Sequence, residues 1–154
     1  MVKIAAVIDS ACLIGLERIG SLDLLSSLID PVMVPPAVES EFGPLPPWVV
    51  VQAPADEGMV AALRLVVDAG ESEAIALAYE KGMRIILDDR KAREAARRLG
   101  VPITGTVGLL LKAKETGVIG SIRPHLDALD ANQFRIGAAL RFEALRLAGE
   151  LASE

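Results

Sequence analysis

Four separated segments of the chain each offer a carboxylate where a strand would give way to a helix. Asp9 follows the short, mostly apolar run 3–8, and Asp88 and Asp89 follow the run 83–87. Glu39 and Glu41 stand just after Pro35-Pro36, and Glu71 and Glu73 just after Gly70. In open parallel sheets ligands bind beyond the carboxyl ends of the strands, so these are positions where acids can act together. Taken singly, most have an ordinary explanation. An acid in the first turn of a helix gains about 0.3–1 kcal/mol from the macrodipole, which accounts for Glu39, Glu71 and Glu73. Asp88-Asp89 reads equally well as a turn and helix cap. Asp9 is harder to explain away, because a carboxylate directly behind a buried strand is costly to desolvate without a partner. If the acids converge, two like charges about 4 Å apart repel by about 4 kcal/mol at an effective dielectric near 20. Either protons are taken up or a cation binds. All-oxygen ligation, with neither His nor Cys among the donors, suits Mg²⁺ or Mn²⁺. One such ion, or a pair about 4 Å apart, activates a water and steadies the leaving oxygen in phosphodiester hydrolysis.

Cations stand next to these acids. Arg90, Lys91, Arg93, Arg97 and Arg98 crowd the segment after Asp88-Asp89, and helical spacing puts Arg90, Arg93 and Arg97 on one face. That face is either a solvated helix surface or a strip that contacts nucleic-acid phosphates, with Lys112 and Lys114 extending it. Other chemistries have little to work with. Cys12 is the only cysteine, so an internal disulfide and a thiolate metal site are excluded, and its apolar neighbours mark it as a buried structural thiol. His125 is the only histidine, and any Ser/His or Cys/His pair would depend on it alone.

The elements that would position these groups follow from pattern and punctuation. The chain has 154 residues, enough for one hydrophobic core, and reads as a single domain over 1–154. It is 52% hydrophobic but only 3% aromatic, so the core is aliphatic. The run 3–8 predicts a buried strand, with Ser10 capping a helix over 11–19 and a second helix over 21–28. A brief strand over 32–34 and a helix over 37–42 lead into the proline-rich loop 43–47. An edge strand over 48–52 and a helix over 55–68 complete the first half. Then come a helix over 71–81, a strand over 83–87, a basic helix over 90–99, a strand over 101–104 and a helix from Gly105 to about Thr116. This alternation implies right-handed crossovers and a mostly parallel sheet. From Ser121 onward only helices are predicted. The longest, over 134–151, puts Ile136, Leu140, Ala144 and Leu147 on one face.

The net charge of −5 argues against tight, non-specific binding to nucleic acid through a broad basic surface, though not against a nucleic-acid enzyme. No apolar run reaches the roughly 18 residues that span a bilayer. The first residues lack the pattern of a signal peptide, so no membrane association and a cytoplasmic location are expected.

The residues, taken in order, resemble those of PIN-domain ribonucleases, in particular a prokaryotic subgroup related to VapC-type toxins. The stretches that carry the resemblance are Val7-Ile8-Asp9-Ser10, Val34-Pro35-Pro36-Ala37-Val38-Glu39-Ser40-Glu41, Gly70-Glu71-Ser72-Glu73-Ala74-Ile75-Ala76-Leu77-Ala78, Ile86-Leu87-Asp88-Asp89-Arg90-Lys91-Ala92-Arg93 and Thr104-Gly105-Thr106-Val107-Gly108-Leu109-Leu110. They span about residues 3–120, with 121–154 as a helical extension. Each motif is weak alone; their joint order is specific. The resemblance implies a three-layer α/β/α sandwich and an endoribonuclease dependent on Mg²⁺ or Mn²⁺. By it, Asp9 is the first metal carboxylate and Glu41 the second, with Glu39 as the alternative. Glu73 is the third, with Glu71 as the alternative. Asp89 is the fourth, with Asp88 replacing or joining it. Ser10 and Thr106 would steady ligands or waters around them, and Arg90, Arg93 and Arg97 would contact RNA. Many VapC-type toxins carry Asp near the third position, where this chain has only glutamates, which implies weaker metal affinity. The resemblance also implies a homodimer and, in many members, a protein antitoxin.

Two other functions fit less well. The same fold without catalysis would be a regulatory RNA-binding or protein-interaction module, retaining RNA without cutting it. A phosphotransfer protein using Asp9 as acceptor would need a second Asp two positions on, where Ala11 stands, and a Lys at a late strand end. Dinucleotide binding is disfavoured because no Gly-x-Gly-x-x-Gly follows a strand.

Overall fold

The computed structural model describes residues 2–151. The first half of the chain runs β1 (Ile4–Ile8), α1 (Ser10–Arg18), α2 (Leu24–Leu28), β2 (Ile29–Val34), α3 (Pro36–Phe42), β3 (Val49–Val51) and α4 (Glu57–Leu63). The second half runs α5 (Ala69–Lys81), β4 (Arg84–Ile86), α6 (Arg90–Arg98), β5 (Ile103–Thr104), α7 (Thr106–Glu115), α8 (Arg123–Ala131) and α9 (Ala138–Leu147). The strands form one five-stranded sheet in the order β3-β2-β1-β4-β5, and every pairing is parallel. The parallel sheet expected from the alternation, and the three-layer α/β/α sandwich implied by the resemblance, are the fold observed.

Strand alternation sorts the layers. Ala6 and Ile8 point to one side of the sheet, into an apolar cluster shared with Leu13 and Leu16 of α1, Leu25 of α2, Leu110 of α7 and Leu126 and Leu129 of α8. Val7 points to the other side, where Ala74–Ala78 of α5 and Ala92 and Ala96 of α6 cover it. Residues Ala74, Ile75, Ala76, Leu77 and Ala78 are all fully buried, so α5 is enclosed on every side over this turn. Small side chains there let α5 lie close between the sheet and α3, α4 and α6.

The order of strands fixes where a site can form. The chain winds outward from β1 through β2 to β3, then returns to lay β4 on the other side of β1. The crevice at that reversal, beyond the carboxyl ends of β1 and β4, lies between Asp9 and Asp88-Asp89. The Asp9 backbone N–H donates to the Ile86 carbonyl at 3.1 Å, which ties the two strand ends together.

Several expected elements differ in extent. The helix expected over 55–68 is only Glu57–Leu63. The chain leaves it through Arg64–Val67, with Leu65 and Val66 strongly exposed, and Asp68 then caps α5. Asp68 Oδ1 accepts the Glu71 N–H at 2.8 Å and Glu71 Oε1 accepts the Asp68 N–H at 3.2 Å, a reciprocal capping box. Gly70 therefore lies inside the first turn of α5 rather than before it. Asp9, not Ser10, occupies the N-cap position of α1, because the Ser10 hydroxyl is used elsewhere.

The long helix expected over 134–151 does not form as such. The chain turns at Gln133, whose φ is 69°, Asp130 Oδ1 accepts the Ile136 N–H at 3.0 Å, and α9 starts only after Gly137. The buried face of α9 carries Ala144 and Leu145, whereas Leu140 and Leu147 are exposed. Glu150 secures the far end: its carboxylate accepts the N–H groups of Ile122 and Arg123 and pairs with Lys114 at 2.9 Å. Ile122, Leu126, Leu129 and Leu145 belong to the main core, so α8 and α9 pack as part of it. Among the described residues no helix is long and apolar enough to cross a membrane.

Candidate active site

Asp9 is the centre of the site. It directly follows β1 and is 4% exposed, and its Oδ1 is buried with no hydrogen-bond partner among the described residues. Burial pushes its carboxyl up to about 7; the Ser10 backbone N–H opposes this, and the charges of Glu71, Asp68 and Glu41 reinforce it. A buried carboxylate oxygen aimed at no donor, with three like charges around it, is costly as it stands.

Three of these neighbours are set in place by local structure. Glu41, in the last turn of α3, accepts the Ser10 hydroxyl at 3.2 Å through Oε2. Its Oε1 lies over Gly70, 2.7 Å from where a Cβ on that residue would stand, and Asp68 Oδ1 would be 3.6 Å from the same atom. The missing side chain at Gly70 is what lets these carboxylates gather over the start of α5. Glu71 is 9% exposed. Burial raises its carboxyl to about 7 against the Asp68 N–H, with Asp68, Asp89 and Glu41 adding to the rise.

The two members of each acidic pair are placed differently. Glu71 is the α5 glutamate whose charge acts on Asp9. Glu73 is turned to the other side of the helix, where Oε1 accepts the Ala37 N–H at the start of α3 at 3.0 Å. Glu39 and Glu41 are both exposed, but of the two only Glu41 has a side-chain contact to Ser10. Asp88 is spent on α7: Oδ1 accepts the Thr106 N–H at 2.9 Å and Oδ2 the Thr106 hydroxyl at 2.6 Å. Asp89 caps α6 by accepting the Ala92 N–H at 3.0 Å, and its charge reaches Glu71. The sequence reading missed Asp68. The signal was available in its spacing, an Asp three residues before Glu71 ahead of an apolar run.

Of the three arginines expected on one strip, Arg90 and Arg97 are exposed while Arg93 is half-buried, with Nε enclosed and unpartnered. The Arg93 guanidinium and Asp88 Oδ1 converge above Gly105, at 3.2 and 3.1 Å from the place a Cβ would occupy there. It therefore stands beside the acidic crevice rather than in a uniform outer face.

Among the described residues no three His, Cys, Asp or Glu side chains are drawn tightly enough together to grip one ion. The donors nonetheless suit a hard divalent cation in kind. All are carboxylates, and Asp9 Oδ1 is an enclosed oxygen that lacks a positive partner.

Gly70→Ala tests this packing. Alanine inside a helix is favoured over glycine by about 0.5–1 kcal/mol, so the melting temperature should hold or rise slightly. The new methyl would displace the Glu41 carboxylate, and any activity that depends on the gathered acids should fall about tenfold, the scale of a misplaced reacting group. Thermal melts and activity assays on one preparation read both effects.

An open, all-parallel α/β sandwich with an acidic crevice at its topological reversal belongs to the class of α/β folds that bind ligands beyond the carboxyl ends of their strands. The chain belongs to the PIN-domain family: a family model described as a PIN domain matches residues 5–150. PIN domains are generally nucleases, which places the chain in a family of hydrolases. The match extends through α8 and the whole of α9, beyond the span of about 3–120 over which the motifs resemble the family. No curated protein matches the chain significantly.

Proposed function

We propose that this protein is a divalent-metal-dependent endoribonuclease that hydrolyses RNA phosphodiester bonds at the Asp9 crevice. The observation that carries the reading is the enclosed, unpartnered Asp9 Oδ1 surrounded by the charges of Glu41, Asp68 and Glu71. Asp9, Glu41 and Glu71 would hold Mg²⁺ or Mn²⁺, with Asp89 completing the set from the β4 side. Bound there, the metal would supply a Lewis acid and lower the pKa of a water. Ser10 orients Glu41 through its hydroxyl, and Thr106 holds Asp88 against α7. The half-buried Arg93 offers a guanidinium, free of any carboxylate partner among the described residues, to a substrate phosphate, and the exposed Arg90 and Arg97 continue that path. Resemblance to VapC-type toxins extends the reading to a cytoplasmic toxin that forms a homodimer and pairs with an antitoxin. The exposed Leu140, Phe142 and Leu147 of α9 offer such a partner an apolar surface.

One observation favours a second reading, an inactive RNA-binding or protein-interaction module. Asp68, Asp88 and Asp89 each accept a backbone N–H, and no tight three-ligand group stands ready. A single assay separates the two. The purified chain is incubated with structured and single-stranded RNA, in chelator and in Mg²⁺ or Mn²⁺. Internal cuts that appear only with metal support the nuclease. RNA retention without any cut under all conditions would leave the module.

A further inference from the structure

A second cavity lies away from the acidic crevice, beside the first residues of β1, β2 and β4, between α2 and α7. Its volume is about 380 Å³, within the range of small-molecule sites. Ile4, Leu28, Ile29, Ile86 and Leu109 make most of its wall apolar, and two cations, Arg84 and Lys112, complete it. Among the described residues no acidic side chain lines it.

Arg84 is out of place by the logic of the fold. Strand alternation puts it on the same side of β4 as Ile86, the side that faces the main core. It is half-buried, yet its Nη1 donates only to neutral acceptors, the Ile103 carbonyl at 3.1 Å and the Thr104 hydroxyl at 2.9 Å. Among the described residues it has no carboxylate within ion-pair distance, and its remaining donors have no partner of their own. Lys112 has only the exposed Glu115 at 3.8 Å, a pairing of little consequence in water. A half-buried guanidinium in an apolar wall ordinarily has its counter-charge beside it. Here the described residues supply none.

We propose that this cavity binds a small amphipathic anion, an apolar body carrying one carboxylate, with the head between Arg84 and Lys112 and the body against Ile4, Leu28 and Leu109. The charge complementarity selects the head and the apolar wall selects the body. The proposal uses no residue of the Asp9 crevice, so it stands or falls independently of the nuclease reading.

Decanoate and uncharged decanol, titrated separately into the full chain, provide the test. Calorimetry and amide chemical shifts are followed together. Decanoate should saturate one site and move the amides of Ile4, Arg84 and Gly108, while decanol binds at least about tenfold more weakly, the scale of a lost charge-assisted hydrogen bond. Arg84→Met should weaken decanoate by a similar factor, and Ile4→Trp, which fills the cavity from its half-exposed edge, should abolish binding. If Arg84→Met fails to fold, Lys112→Met on the exposed helix surface should still weaken decanoate measurably. Equal binding of decanoate and decanol, unchanged affinity in the cation variants, shifts confined to another surface, or no saturable binding would each overturn the proposal.

Discussion

Asp9→Asn is expected to make the metal-free protein more stable while abolishing both metal-induced stabilisation and RNA cleavage. In the folded chain the Asp9 carboxyl is held at about 7, above its ordinary 3.8, and that of Glu71 at about 7, above 4.5. The native state therefore holds these protons more tightly than the unfolded chain does. The stability they contribute is fully present below about pH 4 and is lost as pH rises through about 7. Metal-free wild type should thus weaken steadily from mildly acidic to mildly alkaline conditions. Asparagine carries no charge, so the variant should lose the Asp9 share of this slope and gain on the order of 2–4 kcal/mol near pH 8. Metal reverses the ranking. At a concentration about a hundredfold above its dissociation constant, Mg²⁺ or Mn²⁺ should stabilise wild type by about 2.7 kcal/mol and the variant negligibly. Cleavage should fall by about a thousandfold or more, as when a charge-stabilising group is removed from a reacting site. Denaturant titrations near pH 5 and pH 8, with chelator or metal, measure the stability terms. Undiminished metal stabilisation or retained cleavage in the variant would remove Asp9 from the centre of the mechanism.

The features that were legible in the sequence are the local ones. Apolar, β-branched runs marked all five strands, four of them bounded by Gly or Pro, and the acids at the ends of the first and fourth marked the crevice. Which member of each acidic pair enters the crevice was not legible. Residues two apart on a helix point about 200° away from each other, so at most one of Glu71 and Glu73 can face Asp9. The choice depends on how α5 rotates against the sheet and α3, which is a matter of tertiary packing. Asp68 was hidden for a related reason. Ala61-Ala62-Leu63-Arg64-Leu65 has strong helix propensity, and reading that helix through to residue 68 absorbed the capping box into its end. In the fold the chain leaves the helix early, exposing Leu65 and Val66, and Asp68 starts α5. The last helix failed in the opposite way. Its apolar periodicity was real, but the Asp130 contact to Ile136 and the turn at Gln133 reset its start, and Ala144 with Leu145 became the buried pair.

Because helix rotation decides the third carboxylate, Glu71→Gln and Glu73→Gln should have sharply different consequences. Glutamine at 71 keeps an oxygen that can accept the Asp68 N–H, so the capping box and the fold should survive. What it loses is the charge that acts on Asp9, and cleavage should drop by about a hundredfold, with a weaker response to metal. Glutamine at 73 keeps the acceptor for the Ala37 N–H but loses a negative charge at the start of α3, costing about 0.3–1 kcal/mol of stability. Its cleavage rate should stay within about twofold of wild type, since this half-buried side chain is engaged with the Ala37 N–H and not with Asp9. Melting curves and metal-dependent cleavage on both variants read the contrast. If Glu73→Gln were the inactive variant and Glu71→Gln the active one, α5 would have to present its opposite face to Asp9 during catalysis. That rotation would pull Ala74–Ala78 out of the core on which the helix is built.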